Sequence, residues 1–153
     1  MHKITIGLVG CGKAKADQPC PARKLYTSQL FRAALRHAEK RNDYVFILSA
    51  FHHLIQPDDT IQPYDRKLGT TEAEKELWAE VTTAKLQSAV CKLKRVFQQL
   101  QCDDVHITIY AGANYADPLR GKLLQKGYYN IFRPLNGLQI GERLAWFKEK
   151  DER

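Results

Sequence analysis

The chain has 153 residues, with 24 Lys plus Arg against 17 Asp plus Glu, a formal net charge of +7 and a pI near 9.3. Its 44% hydrophobic content suffices for one core and leaves little room for two, so residues 1–153 are expected to form a single domain. No apolar run reaches the ~20 residues of a membrane span, and this apolar content argues against intrinsic disorder.

The opening segment, Met1 to Ile6, reads as a strand and not as an apolar leader, which points to a cytoplasmic protein. Ile4 to Val9 is apolar and β-rich, and Gly10-Cys11-Gly12 ends it. From Ser28 to Arg41, apolar residues at 30, 31, 34, 35 and 38 follow helical spacing. Tyr44 to Leu48 is a second buried strand. The stretch Gln56 to Gly69, with Pro57 and Pro63, is too long for an ordinary connection and is expected to be a functional loop. Asp58 and Asp59 fit a turn after Pro57. Thr71-x-x-Glu74 has the form of a capping box and opens a helix predicted to run toward Leu100. A third strand, Val105 to Tyr110, precedes a helix from about Tyr115 to Gln125. Tyr129 to Phe132 reads as a fourth strand, and Leu138 to Lys148 as the last helix. Trp78 and Trp146 fall on apolar helix faces and are expected in the core. Strands separated by helices pair in parallel through right-handed crossovers. The expected fold is therefore α/β, a three-layer α/β/α sandwich around a mainly parallel four-stranded sheet.

Cys11, Cys20, Cys91 and Cys102 have neither a zinc spacing nor the setting of a disulfide framework, so reduced thiols and no metal are expected. Nor is a cofactor implied. Two glycine motifs fail. Gly7 to Lys13 has P-loop spacing, but Ala14 stands where the magnesium-binding hydroxyl belongs, and Lys15 replaces the third glycine of a dinucleotide fingerprint. What remains is a glycine turn with two lysines, suited to an anion.

In parallel sheets, ligands bind beyond the carboxyl ends of the strands. Those ends deliver Gly10-Cys11-Gly12-Lys13, Ser49-Ala50-Phe51-His52-His53, Ala111-Gly112-Ala113-Asn114 and Pro134-Leu135-Asn136-Gly137. Gly12, Lys13, Lys15 and Arg23 are candidates to hold phosphate, with Lys24 beside them. Ser49, Tyr64, Asn114 and Asn136 are candidates to read a base. His52 and Asp65 are candidates for acid–base work, the imidazole because it titrates near neutrality and the carboxylate because it can direct water or steady cationic charge on a sugar. Each has a plain structural role open to it: a histidine satisfied by local carbonyls, an Asp in a turn, lysines on a solvated face. Tyr26 fits core packing, and no serine-hydrolase elbow surrounds Ser49. Cys11 beside lysines has the setting of a thiolate, with no histidine partner assigned.

Three segments together carry a resemblance. They are Cys11-Gly12-Lys13-x-Lys15 leading to Pro21-Ala22-Arg23-Lys24-Leu25-Tyr26, Leu48-Ser49-Ala50-x-His52-x-Leu54 leading to Pro63-Tyr64-Asp65, and Pro134-Leu135-x-Gly137-Leu138-x-Ile140-Gly141. They resemble a small bacterial and phage domain of unknown function over nearly the whole chain. That pattern has glycine where this chain has His53, and glycine adopts positive φ more readily. The segment after the first strand, with the Ser49 turn and Tyr64-Asp65, is also distantly similar to the catalytic domain of archaeosine synthase. This likeness implies a uracil-DNA-glycosylase-like fold and work on a nucleobase or its N-glycosidic bond, with a nucleotide or nucleic acid as partner and no membrane. The alternative is a binding module without catalysis, for which the positive charge and a basic loop suffice.

Overall fold

Alternation along the first strand decides which helices it carries. In the computed structural model, which describes residues 3–97 and 100–151, β1 spans Ile4–Gly10. Ile4, Ile6 and Leu8 face one helical layer, while Val9 and Gly7 face the other. Both faces are covered, so the strand is apolar nearly throughout, as a parallel-sheet strand must be. A Cβ on Gly7 would lie 2.9 Å from the Asn42 side chain and 3.3 Å from the Ala38 Cβ, so the missing side chain lets the next long helix lie close.

After β1 come a two-residue strand β2 (Cys20–Pro21), a single helical turn α1 (Ala22–Leu25) and helix α2 (Gln29–Arg41). Ser28 caps α2 by accepting from the Phe31 amide at 3.1 Å. Next are β3 (Tyr44–Ser49), β4 (His53–Ile55) and β5 (Thr60–Ile61), then α3 (Glu72–Val96). Thr71 accepts from the Glu74 amide at 3.1 Å, as the capping pattern implies. The chain closes with β6 (Val105–Tyr110), α4 (Ala113–Gln125), β7 (Ile131–Phe132) and α5 (Ile140–Asp151). The expected strand start at Met1–His2 lies outside the described residues, whereas α3 stops at Val96, short of the expected Leu100, where Phe97 leaves helical geometry and its amide donates to the Leu93 carbonyl.

The main sheet has the order β4-β3-β1-β6-β7. The four expected strands are parallel, with Gly10 opposite Leu48 and Val9 opposite Tyr110. Layers of α2 with α5 and of α3 with α4 enclose it. The fold is thus the expected α/β/α arrangement, with two differences. First, the sheet has a fifth strand, β4, antiparallel to β3 with Ser49 opposite His53. His53 has φ of +66°, in the left-handed region, and turns the chain back along β3. Ser49 Oγ accepts from the Phe51 and His52 amides at 3.2 and 3.1 Å and fixes the turn. Second, the strand expected at Tyr129 begins at Ile131. The chain is still leaving α4 there, through Gly127 at φ +92° and the Tyr128 amide donating to the Leu123 carbonyl.

The loop Gln56 to Gly69 is tied down as well. β5 pairs with β2, and the Asp59 and Pro57 carbonyls accept from the Ala22 and Arg23 amides at 2.8 Å. Asp59 turns back to Gln56, in agreement with a turn after Pro57.

Candidate functional site at the carboxyl rim

The helices that follow β1 and β6 leave the sheet on opposite faces, α2 toward β3 and α4 toward β7. Such a switch point opens a crevice between the carboxyl ends of the two strands. Here it is a cleft of about 410 Å³, lined among others by Cys11, Gly112, Asn114, Tyr115 and Arg143. Leu30, Phe31, Ala34 and Phe147 supply apolar wall. Small-molecule sites are of this size and mixed character.

One side of the cleft suits an anion. Helix α4 is preceded at its N-cap by Gly112, which has no side chain to cap the first amides. A Cβ there would lie 3.0 Å from Arg143 Nη1, so the guanidinium packs directly over the helix start. Arg143 Nε donates to the Leu138 carbonyl at 3.0 Å, and that bond aims the fork. Amides and a guanidinium together favour a phosphate or carboxylate.

The other side is Cys11 and Tyr115, and behind them lies a chain of hydroxyls that begins under β3. Ser49 is fully buried and lies 2.6 Å from Tyr64 Oη, which lies 2.5 Å from Tyr26 Oη. Both lone pairs of Ser49 are occupied by the turn amides, so its proton is the one shared with Tyr64. Tyr64 also reaches the Cys11 side chain, and Cys11 Sγ lies 3.8 Å from Tyr115 Oη. Burial raises the pKa of all three tyrosines above the ordinary range. The neighbouring Cys11 sulfur adds to the effect, most directly at Tyr64 and Tyr115, so the phenols stay protonated donors near neutrality. The Trp78 indole donates to the Ser49 carbonyl at 2.9 Å and packs edge-on against Tyr115, holding the two sides in register from below.

The residues singled out from the sequence fall into three groups. Ser49 and Tyr64 meet directly, and Lys15 lies 4.5 Å from the Tyr64 ring centre instead of beside a phosphate site. An antiparallel bridge between Lys15 and Tyr26 puts it there, and its Nζ donates to the Lys13 carbonyl. His52 stacks edge-on against Tyr64 at 5.3 Å and lies 4.7 Å from the Phe51 ring. Its pKa is lowered by burial and by Lys85, which leaves a neutral imidazole at pH 7. Asn114 lines the cleft as the second residue of α4.

Gly12 and Lys13 are near but differently used: Gly12 packs against the Ser28 hydroxyl, and Lys13 is exposed. Arg23 is spoken for. It forms a fork with Glu39 at 2.9 and 3.0 Å and bonds Asp58 at 2.8 Å, and the Glu39 and Asp58 bonds push its pKa upward. This guanidinium staples α1 to α2 and is not available to a phosphate. Asn136 is an exposed turn residue outside the cleft lining, and Asp65 is exposed.

Arg143 and Tyr115 escaped the sequence reading. Arg143 is four residues before buried Phe147, so a cation on the inward stripe of α5 was the available signal. Tyr115 carried no signal beyond its place after a strand end. Among the described residues, no three His, Cys, Asp or Glu side chains come together as a metal site, and no helix is long and apolar enough to cross a membrane.

No curated protein and no solved structure matches the chain. A family profile does, and it takes in every strand and helix that builds this rim. Matched over residues 6–149, the chain belongs to the family of unknown function DUF6884.

Proposed function

We propose that the protein is a nucleotide-directed enzyme that works on a nucleobase or its N-glycosidic bond at the carboxyl rim. The carrying observation is the two-sided cleft at the switch point: an anion-ready helix start under Arg143 faces a chain of protonated hydroxyls reached through Cys11. A phosphate belongs at the first side. The polar edge of a base belongs at the second, where Tyr64 and Tyr115 donate and Asn114 offers both donor and acceptor. Exposed Phe51, with Arg66 5.8 Å from its ring centre, offers a stacking surface beyond Tyr64. The likeness of the Ser49 and Tyr64-Asp65 segments to archaeosine synthase supports the same substrate class.

In this mechanism the bond from C1′ to the base nitrogen breaks, and the electron pair leaves with the base, whose developing negative charge accepts a hydrogen bond from a phenol. Water adds to C1′ and gives its proton to neutral His52, while Asp65 closes over the positive charge developing on the sugar. His52 then passes the proton that water loses to the departed base, so the imidazole and the phenols end the turnover as they began it.

One observation favours a binding module instead. Asp65 is exposed with no side-chain bond among the described residues to hold it, whereas catalytic carboxylates are usually positioned by neighbours. Activity decides between the two. Transfer RNA, single-stranded DNA, duplex DNA and mononucleotides are incubated with the protein, and released or altered bases are read by mass spectrometry. His52→Gln and Asp65→Asn are each expected to lower turnover by ~10²-fold or more with binding retained. Arg143→Gln is expected to weaken mononucleotide binding by about tenfold, the loss of one charge-assisted hydrogen bond. Base release that both His52→Gln and Asp65→Asn retain removes the mechanism. Tight binding without turnover of any substrate establishes the binding module.

A further inference from the structure

We infer that the outer face of α1 and α2 is a track for the phosphate backbone of a nucleic acid, so that the nucleotide of the cleft is one unit of a polymer; this rests on the nucleotide reading above. Arg32, Arg36 and Lys40 are spaced four residues apart and form one stripe along α2. Successive charges stand ~6 Å apart along the helix axis, which makes the stripe ~12 Å long. Lys24 of α1 faces the same groove, a depression of about 690 Å³ with Leu35 and Glu39 in its wall. Glu39 is the one carboxylate there, and the Arg23 fork occupies it.

The four remaining cations are exposed and make no ion pair or side-chain hydrogen bond among the described residues. Like charges four apart repel and weaken a helix, and a bound polyanion reverses that effect. One phosphate or one small anion is too short to span the stripe, whereas a backbone presents a charge at every unit. The exposed residues of α2 are Gln29, Arg32, Arg36, Glu39, Lys40 and Arg41, with no apolar side chain to enter a bilayer. Position completes the case. The start of α2 touches Gly12 through Ser28, and Leu30, Phe31 and Ala34 of the same helix line the cleft. Track and cleft therefore lie on opposite sides of one helix, and a strand on the first reaches the second around the helix start.

The test uses fluorescence anisotropy with a labelled 20-nucleotide DNA strand, its duplex and the RNA of the same sequence, across a salt series. Arg32→Gln/Arg36→Gln/Lys40→Gln is expected to bind at least tenfold more weakly. The slope of log affinity against log salt should shrink by about two to three, since each phosphate contact contributes ~0.7–0.9. If the triple variant does not fold, Arg36→Gln alone should shrink the slope by about one. Unchanged affinity and slope for all three nucleic acids overturns the track. So does a larger loss of binding to phosphatidylserine vesicles or to polyglutamate than to nucleic acid. The four ribonucleoside monophosphates, titrated separately, keep the two proposals apart. If they bind in an Arg143-dependent way while oligonucleotides ignore the triple variant, the cleft stands and the track falls. If oligonucleotides depend on the triple variant and no monophosphate binds, the track stands and the cleft reading falls.

Discussion

His53 occupies a backbone conformation that glycine takes freely and histidine takes at a cost of roughly 1–3 kcal/mol. It is the one non-glycine residue with positive φ among the described residues, and it adjoins the Ser49 turn on which the hydroxyl chain is built. The observed φ of +66° means that histidine here takes up a turn geometry that glycine adopts freely. His53→Gly relieves the strain and gives up a weak 3.4 Å contact with Thr82. It is expected to leave the melting temperature unchanged or raise it, whereas His53→Val should lower stability by about 1–3 kcal/mol because a β-branched residue tolerates this region least. Thermal melts of the two variants check the order.

Among elements, the β3–β4 hairpin matters most, because it presents Ser49 to the site and anchors the long helix α3. Trp78 ties the two by its 2.9 Å bond to the Ser49 carbonyl. Trp78→Phe keeps an aromatic ring, smaller than the indole, and leaves that buried carbonyl without its donor. A loss of about 1–3 kcal/mol is expected in chemical denaturation, with the denaturant slope unchanged. Ser49→Ala has a wider effect, because it removes the acceptor of two turn amides and the donor to Tyr64 together. An outcome in which Ser49→Ala is no more destabilising than an exposed Ser→Ala change would show that the network adds nothing to the turn.

For the molecule as a whole, pH acts through three histidines. Burial lowers the pKa of His37, His52 and His53 below the ordinary value near 6.5, with Lys85 adding to the effect at His52 and His53 and Arg41 and Lys40 at His37. Asp151, 2.9 Å from His37 Nδ1, opposes the shift but does not overcome burial. Below about pH 6.5 the unfolded chain therefore binds more protons than the folded one, and stability must fall as pH falls. The loss should begin near 6.5 and continue down through the depressed folded values. Melting temperature between pH 7.5 and 5 measures it, and His37→Gln should remove the share that belongs to the α2–α5 contact. A flat profile over that range would mean that these rings are solvated when folded.

Much of this molecule follows from short-range patterns. The four parallel strands, the capped start of α3 and the crossover layers were all legible, because period-2 and period-3.6 burial, hydroxyl caps and glycine stops act over a few residues. Ser49 and Tyr64 were legible as candidates for the same reason, since each falls at a strand end or in an irregular loop. Partnership was not legible. Nothing local tells Arg23 that Glu39 and Asp58 will claim it, or places Lys15 over Tyr64, or sets Arg143 of the last helix above the first turn of α4. Those contacts join residues 16 to 49 positions apart, and they form only when the crossovers bring separate elements to one rim. Strand and helix identity is written in neighbours along the chain, whereas charge pairing and the composition of the cleft depend on which surfaces the completed sheet brings within reach.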